Sequence, residues 1–238
     1  MACNFTFNHY TQLLNTALHL EYRIVSLSEY LDNCAFLGKT LVLRHDVDSL
    51  PDKALEMARI EDKFGIHSTY FFRVFSNEYN IYGYDTMCII KELEKMGHEV
   101  GYHAEPKDVA VACHIDAQDA YWLGKQALEL LLGHPVNGAA SHREATGNNN
   151  LTEFFAYYTP EQLGLKYEAY SPSLGLFNSA CYLTDGYEWY WRRFEHGTLT
   201  NDTRCACKIL EEVQPPLLYC LIHPNNWYHQ HLHHRIKL

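Results

Sequence analysis

The chain has 238 residues, 47% of them hydrophobic and 20% charged, and a net charge of −10 from 29 acidic and 19 basic side chains. That size and composition describe one globular domain, and no apolar run approaches the eighteen or so residues a membrane helix needs. An acidic chain without a Lys/Arg stripe argues against nucleic acid as a partner, so a small or sugar-like ligand fits better.

In chain order, the first forty residues read as one or two leading helices packed on the outside. Their start, MACNFTFNHYTQLL, lacks a basic head, an apolar core and a small-residue cleavage site, so the expected compartment is the cytoplasm. Thr40–Leu43 reads as a strand, then Pro51–Phe64 as a helix with Pro in its first turn and Gly65 as its stop. Ser68–Val74 is strand-like, Thr86–Met96 helical and His98–His103 a strand again. Asp116–Leu132 has a long helical pattern ended by Gly133, and Val136–Ser141 is a short strand. Leu151–Leu163 is helix-like, Cys181–Thr184 a weaker strand, Asp202–Val213 a helix and Leu217–Ile222 a strong final strand.

This β-then-α rhythm predicts parallel strands with helical crossovers. No Gly-x-Gly-x-x-Gly loop follows the first strand, which disfavours a dinucleotide fold and moves a closed barrel ahead of an open sheet. No repeat or low-complexity linker divides the chain, so a single domain is expected. The eight cysteines, Cys3, Cys34, Cys88, Cys113, Cys181, Cys205, Cys207 and Cys220, are scattered and read as reduced core thiols. Cys205-Ala-Cys207 is the only close spacing, and it lacks a second Cys or His pair at zinc-site distance.

Ionisable residues collect at the C-terminal strand ends: Arg44, Asp46 and Asp48; Arg73; His103 and Glu105; His142 and Arg143; Asp185; His223. Side chains alternate along a strand, so Arg44, Asp46 and Asp48 share one face while Leu43, His45 and Val47 take the other. Two carboxylates on one face are not both cheaply ionised unless a cation separates them or one takes a proton. A metal on Asp48, with Asp46 left as a base, resolves that conflict. Singly, each residue has a plainer reading. Asp48 suits a helix cap, His103 and His223 suit core histidines, and Arg73 and Arg143 suit surface pairs. Their coincidence at one end of successive strands is what points to a site. His98, at the opposite end, reads as structural, and His229-Gln-His231-Leu-His233-His234 as a flexible tail.

RHDVD at 44–48, GHEVGYH at 97–103, Arg-x-x-x-Gly at 143–147 and LIHP at 221–224, in that order, resemble the polysaccharide deacetylases, the NodB-homology or carbohydrate esterase 4 superfamily. More closely, the run from Tyr10 to Trp227 resembles the RHDVD-type, WbmS-like branch from surface-polysaccharide biosynthesis. KALEMARIEDKFGIHSTYFFRV at 53–74, KYEAYSP at 166–172 and YLTDGYEWYW at 182–191 support it. The resemblance implies a distorted (β/α)7 barrel over 40–228, with a helical extension at 1–39 and a His-rich tail at 229–238. It further implies one divalent metal, usually zinc, and hydrolysis of the N-acetyl group of an amino sugar or polysaccharide precursor.

Carried over by position, Asp46 matches the general base, Asp48 and His103 the metal ligands, and His223 the general acid. Arg143 matches the arginine that positions the base, and Asp185 with Trp189 falls at the motif that lines the substrate pocket. The sequence departs from the pattern at Lys107, where a second ligand histidine is expected. His142 is the replacement this leaves, with Glu105 as second choice and otherwise a pocket residue. Two other readings stay open: a non-catalytic carbohydrate-binding barrel that has lost its metal, and an amidohydrolase of a small amide. Tyr187, Trp189, Tyr190 and Trp191 suit a sugar-stacking face or a core equally.

Overall fold

The computed structural model describes residues 3–32, 38–142, 147, 149–186 and 190–230. Cys34, Arg143, Tyr187, Trp189 and the histidines from His231 onward lie outside the described residues. The elements are α1 (Phe7–His19), β1 (Arg23–Val25), α2 (Leu27–Asp32), β2 (Thr40–Val47), α3 (Pro51–Asp62), β3 (Thr69–Arg73), α4 (Tyr84–Lys95), β4 (Glu99–Ala104), α5 (Pro106–Cys113) and α6 (Ala117–Leu132). They continue with β5 (Gly138–Ser141), α7 (Asn150–Glu153), β6 (Tyr167–Glu168), α8 (Leu176–Ser179), β7 (Cys181–Thr184), β8 (Arg192–Glu195), β9 (Thr198–Leu199), α9 (Ala206–Glu212) and β10 (Leu217–Ile222).

Local chemistry explains the boundaries. The Thr6 and Asp116 side chains cap α1 and α6 by accepting from backbone N–H groups of the first turn, and α3 and α5 carry Pro there. Gly133 ends α6 at φ 82°, a conformation that costs glycine nothing. The expected helix over Leu151–Leu163 is instead α7 followed by two short 3-10 turns, because Pro160 and Gly164 interrupt it. The β-then-α rhythm also fails after β7, where β8 and β9 return antiparallel.

Seven strands, β6, β5, β4, β3, β2, β10 and β7, lie side by side in that order and all run parallel, with β8 and β9 beyond β7. β1 pairs with the start of β2. The molecule is therefore α/β with a mostly parallel sheet, and no pairing among the described residues joins β6 to β9. Every residue of β2 is buried, as expected of a parallel strand covered on both faces. Leu41 and Leu43 pack with α1 and α9, while Val42 joins Phe71, Tyr167, Tyr182 and Tyr219 on the opposite side. At Gly101 in β4 a Cβ would stand 2.4 Å from the Phe71 ring, so this close packing admits only glycine.

His45, turned toward the helical side, meets a buried carboxylate. Glu61 of α3 accepts from Tyr10, from His45 Nε2 (2.7 Å), from Tyr70 (3.0 Å) and from Ser68 (2.5 Å), with His98 Nδ1 at 3.5 Å. Burial opposes ionisation of Glu61, but His45 and then His98 and Ser68 outweigh it and bring the group down to about 2 from its ordinary 4.5. A folded value below the unfolded one means that this stabilisation is complete above pH 4.5 and is lost as the pH falls toward 2. Denaturant titrations between pH 6 and 3 should show wild type losing stability steeply below pH 4.5, and Glu61→Gln, already weaker at pH 6, responding less. Parallel curves for the two proteins would show that Glu61 does not carry the acid sensitivity.

Candidate active site

The site is a vertical stack on β2 flanked by neighbouring strand ends. Above Val42, which is in the core, come Arg44, fully buried, then Asp46, buried, and then Asp48, whose side chain is 22% exposed at the mouth. Arg44 grips Asp46 with both arms of its guanidinium, Nε to Oδ1 at 2.8 Å and Nη2 to Oδ2 at 2.7 Å. Its remaining arm donates to Tyr219 at 3.0 Å, and its plane lies over the Tyr170 and Phe71 rings. Burial disfavours the Asp46 anion, yet Arg44 and then His103 hold it below the usual carboxylate range. Asp48 is likewise held low, against burial, chiefly by His103.

Three side chains from three strand ends converge at the mouth. Asp48, His103 and His142 each offer one ligand atom, all within 4.8 Å of one another. Asp48 Oδ1 lies 3.3 Å from His103 Nε2 and 3.6 Å from His142 Nε2. Ligand atoms about 2.0–2.2 Å from one tetrahedral ion stand roughly 3.3–3.6 Å apart, so both spacings suit a shared cation. Buried Asp48 Oδ1 has no hydrogen-bond partner, which is the mark of an atom aimed at something other than protein.

The contacts behind the two rings differ, since His103 has a hydrogen bond there while buried His142 Nδ1 makes none, although a carboxylate stands beside it. His103 Nδ1–H donates to the Ala140 carbonyl at 3.0 Å, turning the bare Nε2 outward. His142 Nδ1 stands 3.2 Å from Glu105 Oε2, which Arg73 grips in turn at 2.8 and 3.2 Å. Glu105 thus stands behind His142 rather than along the cleft wall. Lys107, at the departure from the family pattern, points away to Glu153 at 3.7 Å, and His142 fills the third position of the cluster.

On the other side of β2, His223 follows the end of β10. Asp185, fully buried after β7, accepts from the His223 ring Nδ1 at 2.6 Å, the His223 backbone N–H at 3.0 Å and Trp227 Nε1 at 3.0 Å. It backs His223 and does not line the cleft. Burial opposes the imidazolium, but the Asp185 carboxylate, helped by Asp48 and Asp46, pushes His223 up to about 9.

Strand order sets the order of groups across the site: His142 after β5, His103 on β4, Asp46 and Asp48 from β2, His223 after β10, and Asp185 after β7. Asp46, Asp48, His103, His142 and His223 all line one cleft of about 280 Å³, together with the aromatic rings of Tyr170, Phe177 and Tyr182. A larger hollow of about 540 Å³ lies alongside and shares Tyr170, but among the described residues it holds no cluster of metal-ligating groups. Arg143 and Trp189 lie outside the described residues. Trp191 is buried against Phe5 and Trp227, in the core rather than at the cleft.

Sequence reasoning missed the aromatic wall and Glu168. The Glu168 carboxyl is buried beside Tyr170 and Ser141, and burial raises it to about 7. The KYEAYSP run holds both Glu168 and Tyr170, but a two-residue strand leaves no periodicity to reveal them.

No family model matches this chain, and no curated protein does. Among solved structures it is similar to IcaB from Ammonifex degensii, with 17% identity over 58% of this chain and 68% of that one, at a TM-score of 0.43. It is also similar to the Streptococcus pyogenes deacetylase PplD in complex with acetate (16% identity, 58% and 64% covered, TM-score 0.40). A third is the chitin deacetylase from the fungal pathogen Colletotrichum lindemuthianum (16%, 55% and 66%, TM-score 0.34). At these scores the likeness carries no argument about the site, whose case rests on its own geometry.

Because Arg44 neutralises a carboxylate that is as buried as itself, Arg44→Met should destabilise the protein by about 3–5 kcal/mol in urea unfolding. Arg44→Lys should recover only part of this, since an ammonium does not reproduce the two-armed grip. A loss below about 1 kcal/mol for Arg44→Met would show that the site stands without the pair.

Proposed function

We propose that this chain is a divalent-metal-dependent hydrolase that removes an acyl group, chiefly N-acetyl, from an amino sugar or saccharide precursor. Its motifs resemble those of the polysaccharide deacetylases, and the RHDVD run favours the surface-polysaccharide branch. The observation that carries this reading is one cleft flanked by three convergent metal-ligating groups, a guanidinium-held carboxylate and a carboxylate-backed histidine. In the same reading the seven parallel strands form a distorted (β/α)7 barrel, with residues 1–39 as its helical extension and 229–238 as its tail.

Asp48, His103 and His142 would hold the ion, and two imidazoles plus one carboxylate with a position left open is a donor set that suits zinc. When bound, such an ion supplies Lewis acidity toward the acyl oxygen and toward water. The remaining chemistry belongs to the protein's side chains. Asp46, kept anionic by Arg44, takes a proton as water adds to the acyl carbon. His223, an imidazolium at neutral pH because Asp185 faces its Nδ1, gives a proton to the nitrogen as the C–N bond breaks. A carboxylic acid and a free amine leave. Tyr170, Phe177 and Tyr182 line the same cleft, and an aromatic lining favours a saccharide over a small linear amide.

Asp48→Ala should lose both the cleft-bound metal and acetate release from N-acetylhexosamine oligomers, whereas Asp46→Asn should retain the metal and lose turnover. Elemental analysis beside an acetate assay decides it, and turnover by Asp48→Ala would overturn the assignment. His223→Ala should lower kcat by about 10²–10⁴-fold, the range of a lost general acid. Asp185→Asn should fall in the same direction, because it removes the group that charges and orients the ring. An unchanged kcat in His223→Ala would assign the proton to another group.

A further inference from the structure

A second cluster of metal-ligating side chains lies on the opposite side of β2 from the cleft, within the core that α1 and α9 share. His9 of α1 and Cys205 and Cys207, at the start of α9, each present a ligand atom within 4.8 Å of the others. His9 Nε2 is 3.7 Å from Cys207 Sγ across 198 residues of chain. The half-buried Cys3 thiol neighbours Cys205 but lies outside that group of three, so a fourth bond would draw it in toward the ion. Zinc in a closed tetrahedral site, with Zn–S about 2.3 Å and Zn–N about 2.0–2.1 Å, sets sulfur and nitrogen roughly 3.6 Å apart. The measured contact lies close to that spacing.

The surroundings match a closed structural site. His9 Nδ1–H donates to Gln12 Oε1 at 3.2 Å, which leaves the lone pair of Nε2 facing Cys207. Cys205 and Cys207 belong to the same core cluster as Phe5, Trp191 and Trp227, and the His9 ring stacks on Trp227. Simple core thiols explain the burial of Cys205 and Cys207, but not an imidazole oriented by Gln12 and sharing one point with them.

We propose that Cys3, His9, Cys205 and Cys207 form a structural site for a zinc-class divalent cation, distinct from the cleft, which clamps the N-terminal segment to α9. Such a clamp replaces sequence-distant contacts with coordinate bonds, so metal binding and docking of residues 3–9 become one event. The clamp connects to the cleft through Trp227, which stacks on His9 and donates to Asp185, the carboxylate behind His223.

Cobalt(II) added to the reduced full-length protein tests this, since only sulfur ligands give a thiolate-to-cobalt charge-transfer band. Neither the cleft nor the histidine tail supplies sulfur. Wild type and Asp48→Ala should show the band equally, and Cys205→Ser and Cys207→Ser should lose it. The clamp can therefore fail while the hydrolase reading stands, and the reverse. Should the serine variants not fold, alkylation of the zinc-loaded wild type read by peptide mass spectrometry gives the answer. Cys3, Cys205 and Cys207 should label only after chelation, while exposed Cys88 and Cys113 label throughout. Absence of the band in wild type, labelling that chelator does not alter, or a Cys3–Cys205 disulfide in protein purified without reductant would each overturn the proposal.

Discussion

The two-armed contact between Arg44 and Asp46 is the constraint on which the rest of the site depends. A fully buried guanidinium is expensive to desolvate, and here it is repaid only through a carboxylate two residues along the same strand, one hydroxyl and two aromatic faces. Because both partners sit on β2, no hinge or loop comes between them. Asp46 therefore keeps its charge and its position through pairings with β3 and β10 that would have to break before it moved.

That fixed pair lets the groups on either side specialise. Asp48 is freed from balancing Arg44 and turns to His103 and His142, whose rings have a backbone carbonyl and Glu105 behind them. His223 has its own carboxylate in Asp185. Each functional side chain thus has a partner that the cleft does not contact, and those partners, Arg44, Glu105 and Asp185, are the more deeply buried members. The same rule holds on the helical side, where Glu61 gathers His45, His98 and two tyrosines into a network that faces no solvent.

Much of this was legible because strands enforce a period of two. The alternation at 44–48 puts Arg44, Asp46 and Asp48 on one face and His45 on the other, and that is where they lie. Cys181–Thr184 and Leu217–Ile222 were readable to the residue as short apolar runs bounded by turns. His142 could be read as a neighbour of Asp48 and His103 because it too follows a strand, and the three do come together. What the sequence hid depends on contacts across long separations. Glu105 and Asp185 look like cleft residues in sequence because they follow strands, and only packing shows them turned behind His142 and His223. β8 and β9 reverse the parallel rhythm, and runs this short leave little pattern in the sequence to mark them as strands. Cys205 and Cys207 seemed to lack partners because theirs, Cys3 and His9, are almost the whole chain away.

The strand order also explains how one sheet can hold a carboxylate and an imidazolium side by side without their neutralising each other. β10 pairs with β2 in parallel register, Ile222 beside His45, so His223 emerges next to Asp46 at about one strand spacing, roughly 4.8 Å between backbones. Left to themselves, an anion and an imidazolium at that range would form a salt bridge. Each is instead engaged on its far side, Asp46 by Arg44 below and His223 by Asp185 from β7. The tension between neighbouring opposite charges is thereby held across the cleft floor.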